Sequence, residues 1–335
     1  MSASPELEHR LHDTATPVRP LQPRRQVLAL SGGGYRGLFT ARVLEHLEQA
    51  AGSPIRKHFQ LYVGTSAGAL IAAALAHGIE GHVIRAAFQR YGPHIFRRDW
   101  TTRWRRLFHV PYGVDGLNQA MDDIFGRERA VLDTALATLP LPLIVIAVGL
   151  RSHRAKILGG KGLGDGRHPK ITLRQAILAS AAAPTYFPPL TPPSDEALVD
   201  GGLIANAPEL VALAYGHRCL AVKLEDLYLL GIGSAAPEAA HTVSARTGRG
   251  GLGWLLSSRG LVQLTLDGQE DLSVRLTSLL VGERYLRIDR PPSPAQAQVM
   301  ALDSANPQAT VALLDLADQC FAEIRTQAKL RAYFA

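Results

Sequence analysis

Lys57-His58-Phe59-Gln60-Leu61-Tyr62-Val63-Gly64-Thr65-Ser66-Ala67-Gly68-Ala69-Leu70 passes from one secondary-structure pattern to another. The apolar run Leu61, Tyr62, Val63 reads as the end of a buried strand, and it stops at Gly64. From Ala67 an alanine- and leucine-rich segment runs to His77 with helical character. Between the two lies Gly64-x-Ser66-x-Gly68, and strand, sharp turn, helix is the setting in which that spacing marks a nucleophile elbow. The turn is tight, so side chains two positions either side of the serine would crowd it, and glycine removes them. Ser66 is then held at a helix N-terminus, where backbone N–H groups and the helix dipole favour a developing oxyanion. The competing reading is an ordinary strand-to-helix turn with a serine N-cap.

Upstream, Gln26 to Leu30 is a strand that runs into Ser31-Gly32-Gly33-Gly34-Tyr35-Arg36-Gly37. Leu38 to Ala50 follows as a helix, with Leu38, Val43, Leu44 and Leu47 on one stripe and Glu45 and Glu48 outward. Strand, glycine loop, helix, strand, elbow, helix predicts an α/β fold: a mainly parallel sheet with helices on its faces. Gly32-x-Gly34-x-x-Gly37 matches a dinucleotide-binding fingerprint, which would also need an acid at the tip of the next strand. That strand ends in Gly64-Thr65-Ser66, and no lysine followed by Ser or Thr completes a P-loop. The other readings are an oxyanion hole, with small residues exposing consecutive N–H groups beside the charge of Arg36, or a glycine turn kept only for close packing. The elbow next to it favours the oxyanion hole.

Residues 82 to 95 continue as helix. Phe96 to Phe108 then interleaves Arg97, Arg98, Arg103, Arg105 and Arg106 with Trp100 and Trp104. Such a segment suits an interfacial membrane contact or an effector clamp that stacks and pairs with phosphate. It would also suit a surface loop whose aromatics tuck under the domain. Leu117 to Phe125 and Leu132 to Leu139 read as helices, and Leu141 to Leu150 as a central strand apolar on both faces. Arg154 to Leu158 pairs beside it. Thr172 caps a helix running to Ala183, and Pro184 to Pro189 forms a rigid apolar wall. A short strand from Ala197 ends in Asp200-Gly201-Gly202, which places an acid at a strand tip with nothing bulky behind it. Alone that is a common turn. Beside a serine in need of a base it is a candidate partner, because parallel sheets gather such loops at one edge.

Tyr228 to Ile232 and Tyr285 to Ile288 read as strands. Leu252–Leu266, Leu272–Leu280 and Thr310–Ala332 read as helices, and Gly233 to Gly253 as a mobile stretch. Residues 1 to 24, broken by four prolines and lacking an apolar run, form a flexible tail; 25 to 335 form one domain, with 234 to 335 as a C-terminal elaboration. At 335 residues and 47% hydrophobic the chain can bury a large core, and its net charge of +7 draws it to anionic partners. Cys219 and Cys320 stand apart in apolar runs, which points to packing and away from a metal or disulfide framework. The default location is the cytoplasm.

Ser31 to Gly37, Gly64 to Gly68 and Asp200 to Gly202, in that order, resemble the patatin-like phospholipases. The alanine-rich segment before Pro184 and the phrase Asn206-Ala207-Pro208 add to the likeness, which covers about residues 26 to 233. The resemblance implies a three-layer patatin-like fold. It also implies a Ser–Asp dyad without histidine for lipid acyl-ester hydrolysis, with Ser66 as nucleophile and Asp200 as base. It implies an oxyanion hole at Gly33 and Gly34 with Arg36 beside them. Ser31 stands where many members carry Asp. The compact length and the form of the glycine loop also resemble the bacterial CBASS antiphage effectors, which implies a cyclic dinucleotide activator and membrane lipid as substrate at the inner membrane surface. On that reading the C-terminal elaboration and the arginine–tryptophan segment are candidate sensing elements at a homo-oligomer interface. No cofactor, metal or nucleic acid polymer is expected. Two alternatives stay open: a nucleotide-binding regulatory module built on the glycine loop, and a membrane-binding protein without chemistry.

Overall fold

The computed structural model describes residues 25–97, 112–193, 196–237 and 258–334. The first strand, β1 (Arg25–Leu30), shows why the sheet has helices on both sides. Leu28 and Leu30 belong to one buried cluster, and Val27 and Ala29 to another on the opposite face. Successive side chains of a strand point to opposite faces, so a run apolar at every position must be covered twice. The first cluster lies under α1 (Gly37–Ala51), α2 (Ala67–His77) and α3 (Gly81–Ile95), which follow β1 and β2 (Leu61–Thr65).

The chain continues through α4 (Asp115–Phe125), β3 (Leu143–Gly149), β4 (Ala155–Gly159), α5 (Leu173–Ser180), β5 (Leu198–Asp200), α6 (Gly202–Ala205) and α7 (Glu209–Cys219). It closes with β6 (Leu227–Ile232), α8 (Ser258–Val281), β7 (Tyr285–Ile288), α9 (Pro294–Ala297), α10 (Pro307–Ile324) and α11 (Ala328–Arg331). The second cluster joins the far face of the sheet to Ala212 and Leu213 of α7 and Val281 of α8.

The sheet has seven strands in the order β4-β3-β2-β1-β6-β7, with β5 paired to β3. β3, β2, β1, β6 and β7 run parallel to one another, whereas β4 and β5 are antiparallel to β3. The register places the site. β4 occupies one edge of β3 from Ile144 to Val148, so β2 and β5 must share the other edge. Along it, Thr65 of β2 pairs with Ile146 and Asp200 of β5 with Ala147. The two strands therefore meet head to head, and their last residues face adjacent positions of β3. The sequence pointed to an acid arriving on a parallel strand; it arrives from the opposite direction.

Several boundaries differ from the sequence reading. Leu132 to Leu139 is two 3-10 turns, Gly126–Asp133 and Leu136–Thr138, because Ala135 forms a bridge to Thr172 between them. Residues 252–257 lie outside the described residues; from Ser258 the helices read to 266 and over 272–280 are one, α8, since a single exposed glycine such as Gly268 costs a helix only about 1 kcal/mol. The helix read to Ala332 stops at Ile324 and restarts as α11. The stretch beyond 233 supplies β7 to the sheet and lays α10 against α1. The tail at 1–24 and most of the glycine-rich stretch read as mobile lie outside the described residues. Among the described residues no helix is long and apolar enough to cross a membrane.

Candidate active site

β2 feeds straight into α2, and the turn between them leaves room only for glycine on either side of Ser66. A Cβ at Gly64 would lie 2.3 Å from Gly68 O, and one at Gly68 would lie 2.3 Å from Leu30 O. Ser66 itself has φ 55° and ψ −126°, a conformation that costs a non-glycine residue about 1–3 kcal/mol. Its neighbours hold it there: Thr65 Oγ1 donates to Ala205 O (2.7 Å), and the Ser66 amide N–H donates to Ser180 Oγ (2.9 Å).

Ser66 and Asp200, 134 residues apart, are brought into direct contact, with Ser66 Oγ–H donating to Asp200 Oδ2 at 2.7 Å. The other carboxylate oxygen accepts the Gly202 N–H at 2.7 Å, and the Asp200 amide donates to Ala182 O at 3.0 Å. Asp200 is 5% exposed. Burial pushes its carboxyl up to about 6, with the hydrogen bonds from Gly202 and Ser66 pulling the other way. Such a group is ionised at neutral pH and basic enough to take a proton from a hydroxyl.

The glycine loop packs on three sides, which explains its composition. The Gly32 N–H donates to Asn206 O (3.0 Å), and Ser234 Oγ donates to Gly32 O (2.8 Å). A Cβ at Gly33 would lie 2.5 Å from Ser234 Oγ, and one at Gly34 would lie 2.4 Å from Leu302 O. Gly34 also has φ +55°, in the left-handed region. Gly34→Ala is expected to destabilise the fold by at least about 1 kcal/mol, read as a lower urea midpoint.

Gly33, Gly34 and Arg36 all line the cavity that holds Ser66 and Asp200. Arg36 is 4% exposed, and its Nε has no hydrogen-bond partner among the described residues. Burial lowers its pKa, although the carboxylates of Glu270, Asp289 and Asp267 pull it back up. The cavity measures about 440 Å³. Phe88, Ile95, Leu117, Ile124 and Ile177 give it apolar lining, with Tyr186 and Phe187 of the proline-bounded wall.

Behind the loop, Arg287 of β7 donates to Glu209, Glu270, Asp289 and Ser31. Glu270 in turn accepts from Asn206 Nδ2 (2.9 Å), so α8 holds the residue that pins Gly32. Of the segment from Phe96 to Phe108 only Phe96 and Arg97 are described: Phe96 packs edge-on against Tyr35, Tyr112 and Phe187, and Arg97 is exposed just beyond α3. Arg98, Trp100, Arg103, Trp104, Arg105 and Arg106 lie outside the described residues. Sequence reasoning gave no role to Ser180, Ser234 or Leu302. Their contacts are long-range and their residue types ordinary, so no local pattern marks them. Asn206 carried a signal, the phrase Asn206-Ala207-Pro208, but no function.

The patatin-like phospholipase family model matches residues 28–213, a span that runs from β1 through the serine elbow and Asp200 into α7. The chain belongs to the patatin-like phospholipases. Relatives of this patatin-like chain include a cGAMP-activated phospholipase of Pseudomonas aeruginosa, 35% identical over 88% of this chain and 86% of that one. A cGAMP-activated phospholipase of Vibrio cholerae is 27% identical over 100% of this chain and 98% of its own. A cUMP-AMP-activated phospholipase of Escherichia coli is 30% identical over 62% of this chain and 64% of its own.

Proposed function

We propose that this protein hydrolyses fatty-acyl esters of membrane phospholipids through a Ser66–Asp200 dyad and is switched on by a cyclic dinucleotide. The observation that carries the chemistry is the 2.7 Å Ser66–Asp200 hydrogen bond at the wall of a largely apolar cavity. Ser66 Oγ attacks the ester carbonyl while Asp200 takes its proton. The Gly33 and Gly34 N–H groups, with Arg36 beside them, stabilise the tetrahedral oxyanion. Asp200 returns the proton to the departing alcohol, leaving an acyl group on Ser66. Water, deprotonated by Asp200, then releases the fatty acid. The acyl chain packs against the apolar lining that includes Phe88, Leu117 and Ile124.

The names of the relatives support the activator: cGAMP in two cases and cUMP-AMP in a third. The surface of α8 supports action at a lipid surface. Leu264, Leu272, Leu276 and Leu279 are exposed there beside Ile204 of α6, while Leu266 and Leu203 of the same two helices line the cavity. A net charge of +7 favours anionic leaflets. The test is fatty-acid release from mixed phospholipid vesicles with and without cGAMP and cUMP-AMP. Release that depends on one of them supports the reading, and no release under any condition overturns it.

The pH dependence has a definite sign. Asp200 accepts a proton in the first step, so only its ionised form works, and its carboxyl sits at about 6. The kcat/KM for a soluble p-nitrophenyl ester is expected to rise with pH and level off, half-maximal near that value. A profile flat from pH 5 to 8 would remove Asp200 as the base.

A further inference from the structure

The C-terminal turn of α5 touches the backbone of both residues of the pair. Ser180, the last residue of α5, is fully buried. Its Oγ–H donates to Ile146 O on β3 at 2.6 Å. With the proton committed there, the oxygen accepts the Ser66 N–H at 2.9 Å. Two residues on, Ala182 O accepts the Asp200 N–H at 3.0 Å. The same turn thus holds the nucleophile from one side and the acid from the other, and ties both to the strand whose register brings them together.

We infer that Ser180 is a positioning residue for the hydrolysis proposed above, its hydroxyl pinning the Ser66 amide to β3 so that the Ser66 side chain stays aligned with Asp200. Ser66 occupies a positive-φ conformation that is uncommon and costly for serine. A hydrogen bond to its amide is the contact that fixes that peptide plane. The bond also engages Ser66's own N–H, which takes that one group out of oxyanion stabilisation. Ser180 does not line the cavity, so its effect falls on the chemical step and not on substrate binding. The inference rests on the hydrolase reading.

The experiment compares wild type, Ser180→Ala and Ser180→Thr, all with cGAMP present, by fluorophosphonate labelling of Ser66 and by p-nitrophenyl ester hydrolysis. Ser180→Ala is expected to lower kcat and the labelling rate by about 10- to 100-fold, as a small misplacement of a reacting atom does. KM should stay within about twofold, because uniform binding is untouched. Ser180→Thr keeps the hydroxyl and is expected to recover most of the loss. A Ser180→Ala protein that melts lower but is labelled at the wild-type rate overturns the positioning role and leaves the hydrolase reading standing. If Ser180→Ala does not fold, Ser180→Cys takes its place, with its weaker acceptor; a reduced labelling rate supports the role and a wild-type rate overturns it. Wild type that neither reacts with the probe nor hydrolyses ester removes the hydrolase reading, and the positioning role falls with it.

Discussion

Ser66→Ala is expected to lower fatty-acid release by on the order of 10⁴- to 10⁶-fold, the range seen when a hydrolase loses its nucleophile. The substitution deletes one hydroxyl. The hydrogen bonds that hold the turn, from the Ser66 N–H to Ser180 and from Thr65 Oγ1 to Ala205 O, do not involve it. The glycine loop and the cavity are untouched, so whatever activity survives measures water attack assisted by Asp200 and the loop N–H groups. Ser66→Gly is expected to be equally inactive but more stable. Its φ of 55° strains serine and alanine alike and costs glycine almost nothing, which predicts a gain of about 1 kcal/mol in urea denaturation. Fatty-acid release by either variant at more than about a tenth of the wild-type rate would mean that another group carries the attack. Equal stability of the two variants would mean that the elbow is not strained.

Much of this site is legible in the sequence because its parts are local. Glycines two residues either side of Ser66 report a turn whose walls lie within the next helical turn, at Gly68 O, or at the tip of the adjoining strand, at Leu30 O. The glycine loop announces itself in the same way. The alternation of Val27, Leu28, Ala29 and Leu30 between two cores fixes a sheet covered on both faces. What brings Ser66 to Asp200 is not local. A three-residue strand such as β5 carries no periodicity from which its direction could be read, and its antiparallel pairing with β3 decides where the acid lands. Ser180 is hidden for a related reason. Its stretch reads as alanine-rich helix to Ala183, yet the helix ends at Ser180, and the residues after it turn to present Ala182 O to Asp200. Leu302 acts through a carbonyl, which every residue possesses. The contacts between distant backbone atoms that complete the site therefore leave no mark in residue identity.

Asp200→Asn is expected to remove catalysis and to stabilise the fold, and the pair of effects follows from one cause. Asparagine is nearly isosteric: its Oδ1 can accept the Gly202 N–H and its Nδ2 can donate to Ser66 Oγ. It cannot take a proton, so activity should fall by roughly 10³- to 10⁴-fold. The stability change follows from the raised carboxyl, which moves from 3.8 in the unfolded chain to about 6 in the fold, chiefly through burial. Below the unfolded value both states are protonated and the group costs nothing. As pH rises the unfolded chain ionises first, and above about 6 the folded protein must bury a charge, a cost of about 3 kcal/mol by proton linkage. Asparagine carries no such charge. Asp200→Asn should therefore be more stable than wild type by up to about 3 kcal/mol at pH 8, with the difference shrinking as pH falls through 6 and vanishing near pH 4. Urea denaturation of both proteins at those pH values, alongside the vesicle assay, measures it. A loss of stability at pH 8 would show that the hydrogen bonds from Ser66 and Gly202 outweigh desolvation. The carboxylate would then sit below its ordinary range, too weak a base for the role that its contact with Ser66 assigns to it.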